Sequence, residues 1–471
     1  MFVEGLNSSI GLPIAILFNL VIVSVSVVIT VHILLHKSDP KSSLLWIALV
    51  WFAPIFGAVF YLLFGINRIS RRAERLQHSQ NSGVISPRHL PELPLSKTPW
   101  EEFRKLGYNV TGLVQSQGND IQIMEGVDQI HRSMISAINN AKNTIALSTY
   151  IFRRNDLGKS ITNALVKADE RGVDVKVLLD GVGNGFFRSR TYGQLKSGGV
   201  DVERFLHSFW PWRIPLLNLR NHRKLLIVDN TIGFTGSMNL GRVKNLETQF
   251  KISGPVISQL TDAFNRDWSF AGGRSLTACF FSPVESPKGD VTARGIESGP
   301  IYKRERLRWV MLGALGTASK KIRIVTPYFI PDRGLLSGLV IAALKGVEVE
   351  IILPRKSNYW FADWASNHQI QDLLQAGCHI YHRSDVFDHS KLITMDGFWA
   401  LIGSSNWDAR SLRLNFEFDM ECESSEFVKK LDQRIDERRT RSVKLNIKDF
   451  DSRSLFFKLR DSCARLLLPY L

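Results

Sequence analysis

Apolar and polar positions along the chain fall into two regimes. From Ile10 to Leu35 the run is almost unbroken and apolar, with no amphipathic stripe. At about 1.5 Å per helical residue it is long enough to cross a hydrocarbon core of about 30 Å. A second run, Leu44 to Phe64, carries Trp46, Trp51 and Tyr61 and is interrupted by Pro54 and Gly57, which membrane helices tolerate. Residues 1–70 therefore predict a transmembrane hairpin of two helices, about 10–35 and 44–64. Met1 to Ser9 holds Glu4 and no Lys or Arg, unlike the basic leader of a cleavable signal. Lys37 and Lys41 lie between the runs, and Arg68, Arg71, Arg72 and Arg75 follow the second. That excess predicts a multi-pass protein with its hairpin tip outside and the rest of the chain in the cytoplasm.

Beyond the hairpin, residues 71–110 read as a basic juxtamembrane segment and a Ser-, Asn-, Gly- and Pro-rich linker. The pattern then alternates. Asp128 to Ala141 has helical apolar spacing, Thr144 to Ile151 suits a strand, Leu157 to Arg171 a helix closed by Gly172, and Val173 to Leu179 a strand. The order returns with strand Ile322 to Val325, a helix through Leu344 closed by Gly346, and strand Val347 to Leu353. R-G-V-D-V-K-V-L-L-D at Arg171 and K-G-V-E-V-E-I-I-L-P at Lys345 are visibly related. We expect an α/β fold of two pseudo-symmetric half-domains, 111–290 and 291–471, forming one catalytic unit. The last stretch, Ser454 to Leu471, mixes Arg and Lys with Leu and Phe, as either an interfacial amphipathic helix or a terminal helix docked on the core would. Phe209 to Arg223 mixes aromatics and arginines, and suits either a loop in a lipid headgroup layer or one packed under the domain.

The repeat is sharpest at one motif. Asn221 to Asn239 reads N-H-R-K-L-L-I-V-D-N-T-I-G-F-T-G-S-M-N, and Asp388 to Asn406 reads D-H-S-K-L-I-T-M-D-G-F-W-A-L-I-G-S-S-N. His-x-Lys at period two puts both side chains on one strand face, and the apolar run after each Lys suits a buried strand. Lys224 and Lys391 supply point charges for a phosphate, and Ser237, Asn239, Ser404 and Asn406 supply further donors. His222 and His389 can act as nucleophile, acid or base near neutral pH. Two copies meeting across a pseudo-two-fold axis would place two imidazoles on opposite sides of one phosphorus. Glu247 and Glu417 follow the motifs at comparable distances and are candidates to orient the histidines. Asp229 and Asp396 lie at the far strand ends, where capping a turn or an ion pair is expected more than substrate contact.

Composition narrows the chemistry. A formal net charge of +16 favours anionic partners, whether nucleic acid, acidic lipid or a phosphorylated substrate. Cys279, Cys378, Cys422 and Cys463 are scattered, without the spacing of a zinc site or a disulfide framework. Two histidines beside two lysines would repel a cation, so a mechanism without metal or cofactor is expected.

The doubled H-x-K-x4-D-x6-G-S-x-N resembles the phospholipase D superfamily, whose members carry this signature in each of two α/β halves. Further features are similar to the bacterial cardiolipin synthase family: two N-terminal spans, R-R-A-E-R at Arg71, T-P-Y-F-I-P at Thr326, I-L-P-R-K at Ile352, and N-F-E after the second motif. The resemblance covers nearly the whole chain. It implies a phosphatidyltransferase of the bacterial inner membrane that condenses two phosphatidylglycerol molecules to cardiolipin plus glycerol through a phosphohistidine. It also implies His222, Lys224, Asp229, His389, Lys391 and Asp396 as the catalytic set, with His222 the nucleophile as is common in the family. Phosphatidylglycerol and anionic membrane lipids would be the partners, and nucleic acid would not. A phospholipase D-type hydrolase, or a synthase using phosphatidylethanolamine as co-substrate, are the alternatives; the residues themselves are symmetric between the histidines and silent on oligomeric state.

Overall fold

The computed structural model describes residues 11–37, 40–65, 98–185, 189–207, 219–241, 244–274, 276–281, 289–300 and 305–466. The basic run Arg71 to Arg75, most of the linker and the loop Phe209 to Asn218 lie outside them. The chain divides into an N-terminal unit and an α/β unit running from Gln80 to His207 and from Leu217 to Leu471.

In the N-terminal unit, Gly11–His36 is one helix, and its Ala15–His36 portion is long and apolar enough to span a bilayer. The second apolar run is not one continuous helix. It forms Pro40–Phe52, breaks at Ala53, and resumes as Pro54–Phe60 and a π-helical turn Tyr61–Gly65. Pro54 has no N–H to continue the ladder, and its ring drives Ala53 out of the helical region, to φ −138°, ψ 71°. Thus the described residues hold one helix of spanning length where two were expected. Hydropathy registers apolar length but not this loss of a backbone donor. Ile29, Ile33, Val50, Ala58 and Tyr61 form the unit's small core.

The α/β unit carries β1 (Ser116–Glu125), β2 (Thr144–Thr149), β3 (Asp174–Asp180), β4 (Asp201–Phe205), β5 (Leu225–Val228), β6 (Ile232–Gly236) and β7 (Thr248–Ser253). A second set repeats them: β8 (Val291–Ser298), β9 (Lys321–Val325), β10 (Phe329–Ile330), β11 (Glu348–Pro354), β12 (His379–Arg383), β13 (Leu392–Met395), β14 (Trp399–Gly403), β15 (Trp407–Asp408), β16 (Glu417–Glu423) and β17 (Ser442–Lys444). β10 and β15 pair apart; the others form one 15-stranded sheet with the β8–β1 pair near its middle. Outward from that seam the order is β1-β7-β6-β5-β2-β3-β4 on one side and β8-β16-β14-β13-β9-β11-β12-β17 on the other, a pseudo-two-fold arrangement. Strands joined by crossover helices pair in parallel (β2–β3, β9–β11), and the motif hairpins β5–β6 and β13–β14 are antiparallel. The crossover helices Asp156–Glu170 and Arg333–Leu344 are N-capped by Asn155 and Asp332, and left-handed Gly172 and Gly346 follow them at φ 88° and 87°.

Residues 99–111, assigned to the linker from composition, form a helix. Thr98 and Glu101 make a reciprocal capping box with Pro99 at the first turn. The helix buries Phe103 in the second half's core, edge-on to Trp399 at 5.6 Å. Its T-P-W-E start was readable, but it sits at the end of a Pro- and Ser-rich stretch that dominates the composition.

Candidate active site

The segments that lead into β5 and β13 deliver their histidines to one place, so His-x-Lys precedes the strand on which it was expected. His222 and His389 line a single cavity of about 410 Å³, together with Asn239, Asn406, Arg220, Arg410, Tyr150, Tyr328, Tyr359 and Asn415 among others. Both rings are nearly buried, 8% and 7% exposed. The segments that carry them are stitched across the halves by short parallel bridges, Asn221 to Phe416 and Leu246 to Asp388. His222 N donates to Phe416 O at 2.9 Å, and His389 N donates to Leu246 O at 2.8 Å.

This stitching sets the orienting carboxylates. The residue after Phe416 is Glu417, whose oxygens accept from His222 Nδ1 at 2.8 and 2.9 Å. The residue after Leu246 is Glu247, whose Oε2 accepts from His389 Nδ1 at 3.0 Å. Each histidine is thus held by the glutamate of the opposite half. The bond fixes the tautomer and leaves Nε2 as the reactive nitrogen.

The motif serines act behind the imidazoles, which corrects the expectation that they bind substrate phosphate. Ser237 Oγ donates to Glu247 Oε2 and Ser404 Oγ to Glu417 Oε2, each at 2.6 Å, and both are fully buried. They therefore hold the carboxylates that hold the histidines. The glycine before each serine is required by crowding: a Cβ on Gly236 would come 2.5 Å from Thr248 O, and one on Gly403 2.4 Å from Asp419 Oδ1.

The motif aspartates, implied as catalytic by the resemblance and as turn caps by their place at the strand ends, make turn contacts. Asp229 and Asp396 occupy left-handed positions, φ 51° and 54°, in the tight turns of the two motif hairpins. Asp229 accepts from the backbone N–H of Lys142, Asn143 and Thr144 at 2.9, 2.7 and 2.9 Å. Asp396 does the same for Ser319, Lys320 and Lys321 at 2.9, 2.8 and 3.0 Å. Each ties the motif hairpin to the start of the neighbouring strand, β2 or β9, away from the cavity. We expect Asp229→Ala to cost about 2–4 kcal/mol of stability, seen as a lower urea midpoint in detergent, with turnover per folded molecule retained.

Lys224 and Lys391 are buried, and each Nζ donates to its own histidine's carbonyl at 2.6 Å. Burial drives Lys224 down to about 7, against the pull of Glu417, and Lys391 down to about 8. His222 is held well below the usual histidine value, first by burial and then by Lys224, Lys391 and His389. The two carboxylates differ. Burial pushes Glu417 up to about 7, whereas at Glu247 the charge and hydrogen bond of His389, with Lys391 and Ser237, outweigh burial and keep it low. Hence the His389–Glu247 pair keeps an ionised carboxylate, and the His222–Glu417 pair carries less charge.

Supporting residues that the sequence did not single out flank both histidines. Asn221 donates its N–H to Asp180 at 2.8 Å and its amide to Asp267 at 3.1 Å. Asp388 accepts from Arg438 Nε at 2.8 Å. Their partners lie far off in sequence, so spacing gave no signal for them.

Residues 134–268 and 311–439 match the family described as "Cardiolipin synthase, PLD-like domain", and residues 24–65 match the phospholipase D-nuclease N-terminal family. The chain is 30% identical to the "Cardiolipin synthase" of Clostridium perfringens over 458 residues, 92% of this chain and 95% of that relative. It is 31% identical to "Cardiolipin synthase 1" of Bacillus anthracis over 487 residues, 97% of this chain and 94% of that one. Among solved structures, the phosphatidylserine synthase of Haemophilus influenzae shares the fold, with a TM-score of 0.60 at 16% identity over 79% of this chain and 100% of that one. Both motif halves fall inside the matched family segments, and the relatives are matched along nearly their whole length. The chain therefore belongs to the bacterial cardiolipin synthases of the phospholipase D superfamily, and it is a phosphatidyltransferase acting on phospholipid.

Proposed function

We propose that this enzyme condenses two phosphatidylglycerol molecules into cardiolipin and glycerol by double displacement through a phosphohistidine on His222. One observation carries the reading: two buried imidazoles line one cavity, and each presents Nε2 because its Nδ1 is engaged by the other half's glutamate. His222 Nε2 attacks the phosphorus of the first lipid, and His389 protonates the departing glycerol. His389 then takes the proton of the second lipid's glycerol hydroxyl, whose oxygen displaces His222 from phosphorus. Lys224, Lys391, Asn239 and Asn406 would stabilise charge on the non-bridging oxygens. The electrostatics favour this division of labour. Burial shifts both rings toward neutrality, His222 the more strongly, as suits a nucleophile, while Glu247 offsets part of that shift at His389 and supports its protonated form.

Purified protein given phosphatidylglycerol alone should yield cardiolipin and glycerol in equal amounts. Phosphatidic acid without cardiolipin would instead identify a hydrolase, and dependence on added phosphatidylethanolamine would identify the co-substrate alternative. The pH profile follows from the cavity groups. As pH falls through about 7, Glu417 gains a proton and ceases to hold Nδ1–H; as pH rises through about 7 to 8, Lys224 and Lys391 lose the charge that binds phosphate. kcat/KM should therefore peak narrowly near pH 7 and fall on both sides, and a flat profile up to pH 9.5 would count against the lysines' role.

For the membrane we propose that Gly11–His36 and the broken segment that follows it both lie in the bilayer, with the catalytic unit cytoplasmic. The terminal helix Leu455–Leu466 exposes Leu455, Phe456 and Leu459 (72%, 71% and 56%), as an interfacial helix would.

A further inference from the structure

The reaction proposed above assigns one phosphodiester, with one negative charge, to the two imidazoles and to the two buried lysines bonded to their carbonyls. Two further cations line the cavity itself. Arg220 and Arg410 are only half-buried, and they come one from each half. Both are fixed by the elements that build the floor. Arg220 O accepts from Phe416 N at 2.8 Å, beside the Glu417 that orients His222. Arg410 lies in the first turn of helix Ala409–Arg413, which Asp408 caps by accepting from Ser411 N at 2.6 Å.

Acids stand near these guanidiniums, Asp180 by Arg220 and Asp408 by Arg410, and Tyr150 is hydrogen-bonded to Arg220. Asp180 accepts from the N–H groups of Val182, Gly183 and Asn221 at 2.9, 2.7 and 2.8 Å. Asp408 holds its helix cap. The two arginines also oppose each other: Arg410 is shifted down, first by burial and then by Arg220. Like charges gathered in one cavity are stabilised when an anion sits between them.

The pseudo-two-fold repeat is broken at this point. Two residues before the motif histidine stands Arg220 in the first half and Phe387 in the second. Phe387 packs on Tyr328 and on His389, with ring centroids 6.2 and 6.0 Å apart. The two halves therefore differ beside their histidines, with a guanidinium at the cavity in one and a phenyl ring against the imidazole in the other. A hydrolase or a symmetric phosphodiesterase needs no such difference, whereas joining two phospholipids brings a second phosphate within one glycerol of the first.

We propose that Arg220 and Arg410 form a second anion subsite, which holds the phosphate of the acceptor phosphatidylglycerol while its glycerol hydroxyl attacks the phosphohistidine. This rests on the condensation reaction proposed above. In that step the bond from His222 Nε2 to phosphorus breaks, a bond from the acceptor's primary hydroxyl oxygen to phosphorus forms, and the hydroxyl proton passes to His389. The subsite selects an acceptor that carries its own phosphate one glycerol away from the attacking oxygen. Water and free glycerol gain nothing from it.

Full-length enzyme in mixed micelles of phosphatidylglycerol with labelled free glycerol separates the two half-reactions. Exchange of label into phosphatidylglycerol needs only one lipid phosphate, and cardiolipin formation needs two. Arg410→Gln and Arg220→Gln should lower the ratio of cardiolipin to exchange by about 10- to 100-fold, through the KM for the acceptor lipid. Arg410→Lys should recover part of it. Exchange also reports folding in the same sample. A ratio unchanged in both glutamine variants would overturn the subsite. A wild-type enzyme that exchanges glycerol but makes no cardiolipin would instead overturn the condensation reading itself.

Discussion

Replacing His222 by Ala should abolish phosphatidyl transfer, with a loss of about 10⁴ to 10⁶ in kcat, because it removes the proposed nucleophile. His389→Ala should lose less with natural lipid, about 10² to 10⁴, since it removes only proton transfer. A donor whose leaving group needs no protonation, phosphatidyl-p-nitrophenol, distinguishes the two roles. His389→Ala should release a burst of nitrophenol and stall as phosphoenzyme, its base being absent, and His222→Ala should show no burst. The opposite pattern would reassign the nucleophile to His389. The prediction draws on the unequal surroundings of the two rings: His222 is pushed toward neutrality by burial and the lysines, while Glu247 stays ionised beside His389.

Glu417→Gln should lower transfer by about 10² to 10⁴ although Glu417 belongs to the half that does not carry the nucleophile. A glutamine can turn its NH₂ toward Nδ1 and move the imidazole proton to Nε2, which removes the lone pair that attacks phosphorus. Nitrogen NMR of labelled histidine would report that tautomer change, and the nitrophenol burst should slow to match. Glu247→Gln should leave the burst in place and slow its decay, because its imidazole serves the acceptor step. If each glutamine variant impaired the step assigned to its own half's histidine, the crossed pairing would be wrong. Ser404 and Ser237, each donating to one of these carboxylates at 2.6 Å, should behave as weaker versions of the same substitutions.

The likeness between the halves stops where the chemistry needs direction. The Nδ1 bonds, the serine supports and the turn aspartates repeat faithfully. The carboxylate electrostatics and the Arg220–Phe387 position do not. A symmetric site could bind a phosphodiester but would offer the same surroundings to incoming and departing groups; under the proposed reaction the differences give donor and acceptor separate environments.

Taken alone, the sequence determined the elements whose physics is local. Apolar spacing placed the alternating strands and helices, the closing glycines Gly172 and Gly346 marked helix ends, and the repeated His-x-Lys spacing identified two half-sites, although each His and Lys lies in the segment just before its strand and not on the strand face expected. It also placed the long apolar helix Gly11–His36, because length and composition suffice for that. Tertiary structure decided the rest. Glu417 reaches His222 across 195 positions, and Glu247 reaches His389 across 142. No periodicity encodes such a separation; it arises because the seam of the sheet pairs each glutamate's segment with the other half's histidine. The same folding turned Ser237 and Ser404 toward carboxylates, drew Asp229 and Asp396 into hairpin turns, and carried Phe103 onto the second half's core. Motif spacing specifies which residues recur together, whereas a hydrogen bond requires atoms within about 3 Å, and only the packed sheet brings those atoms together.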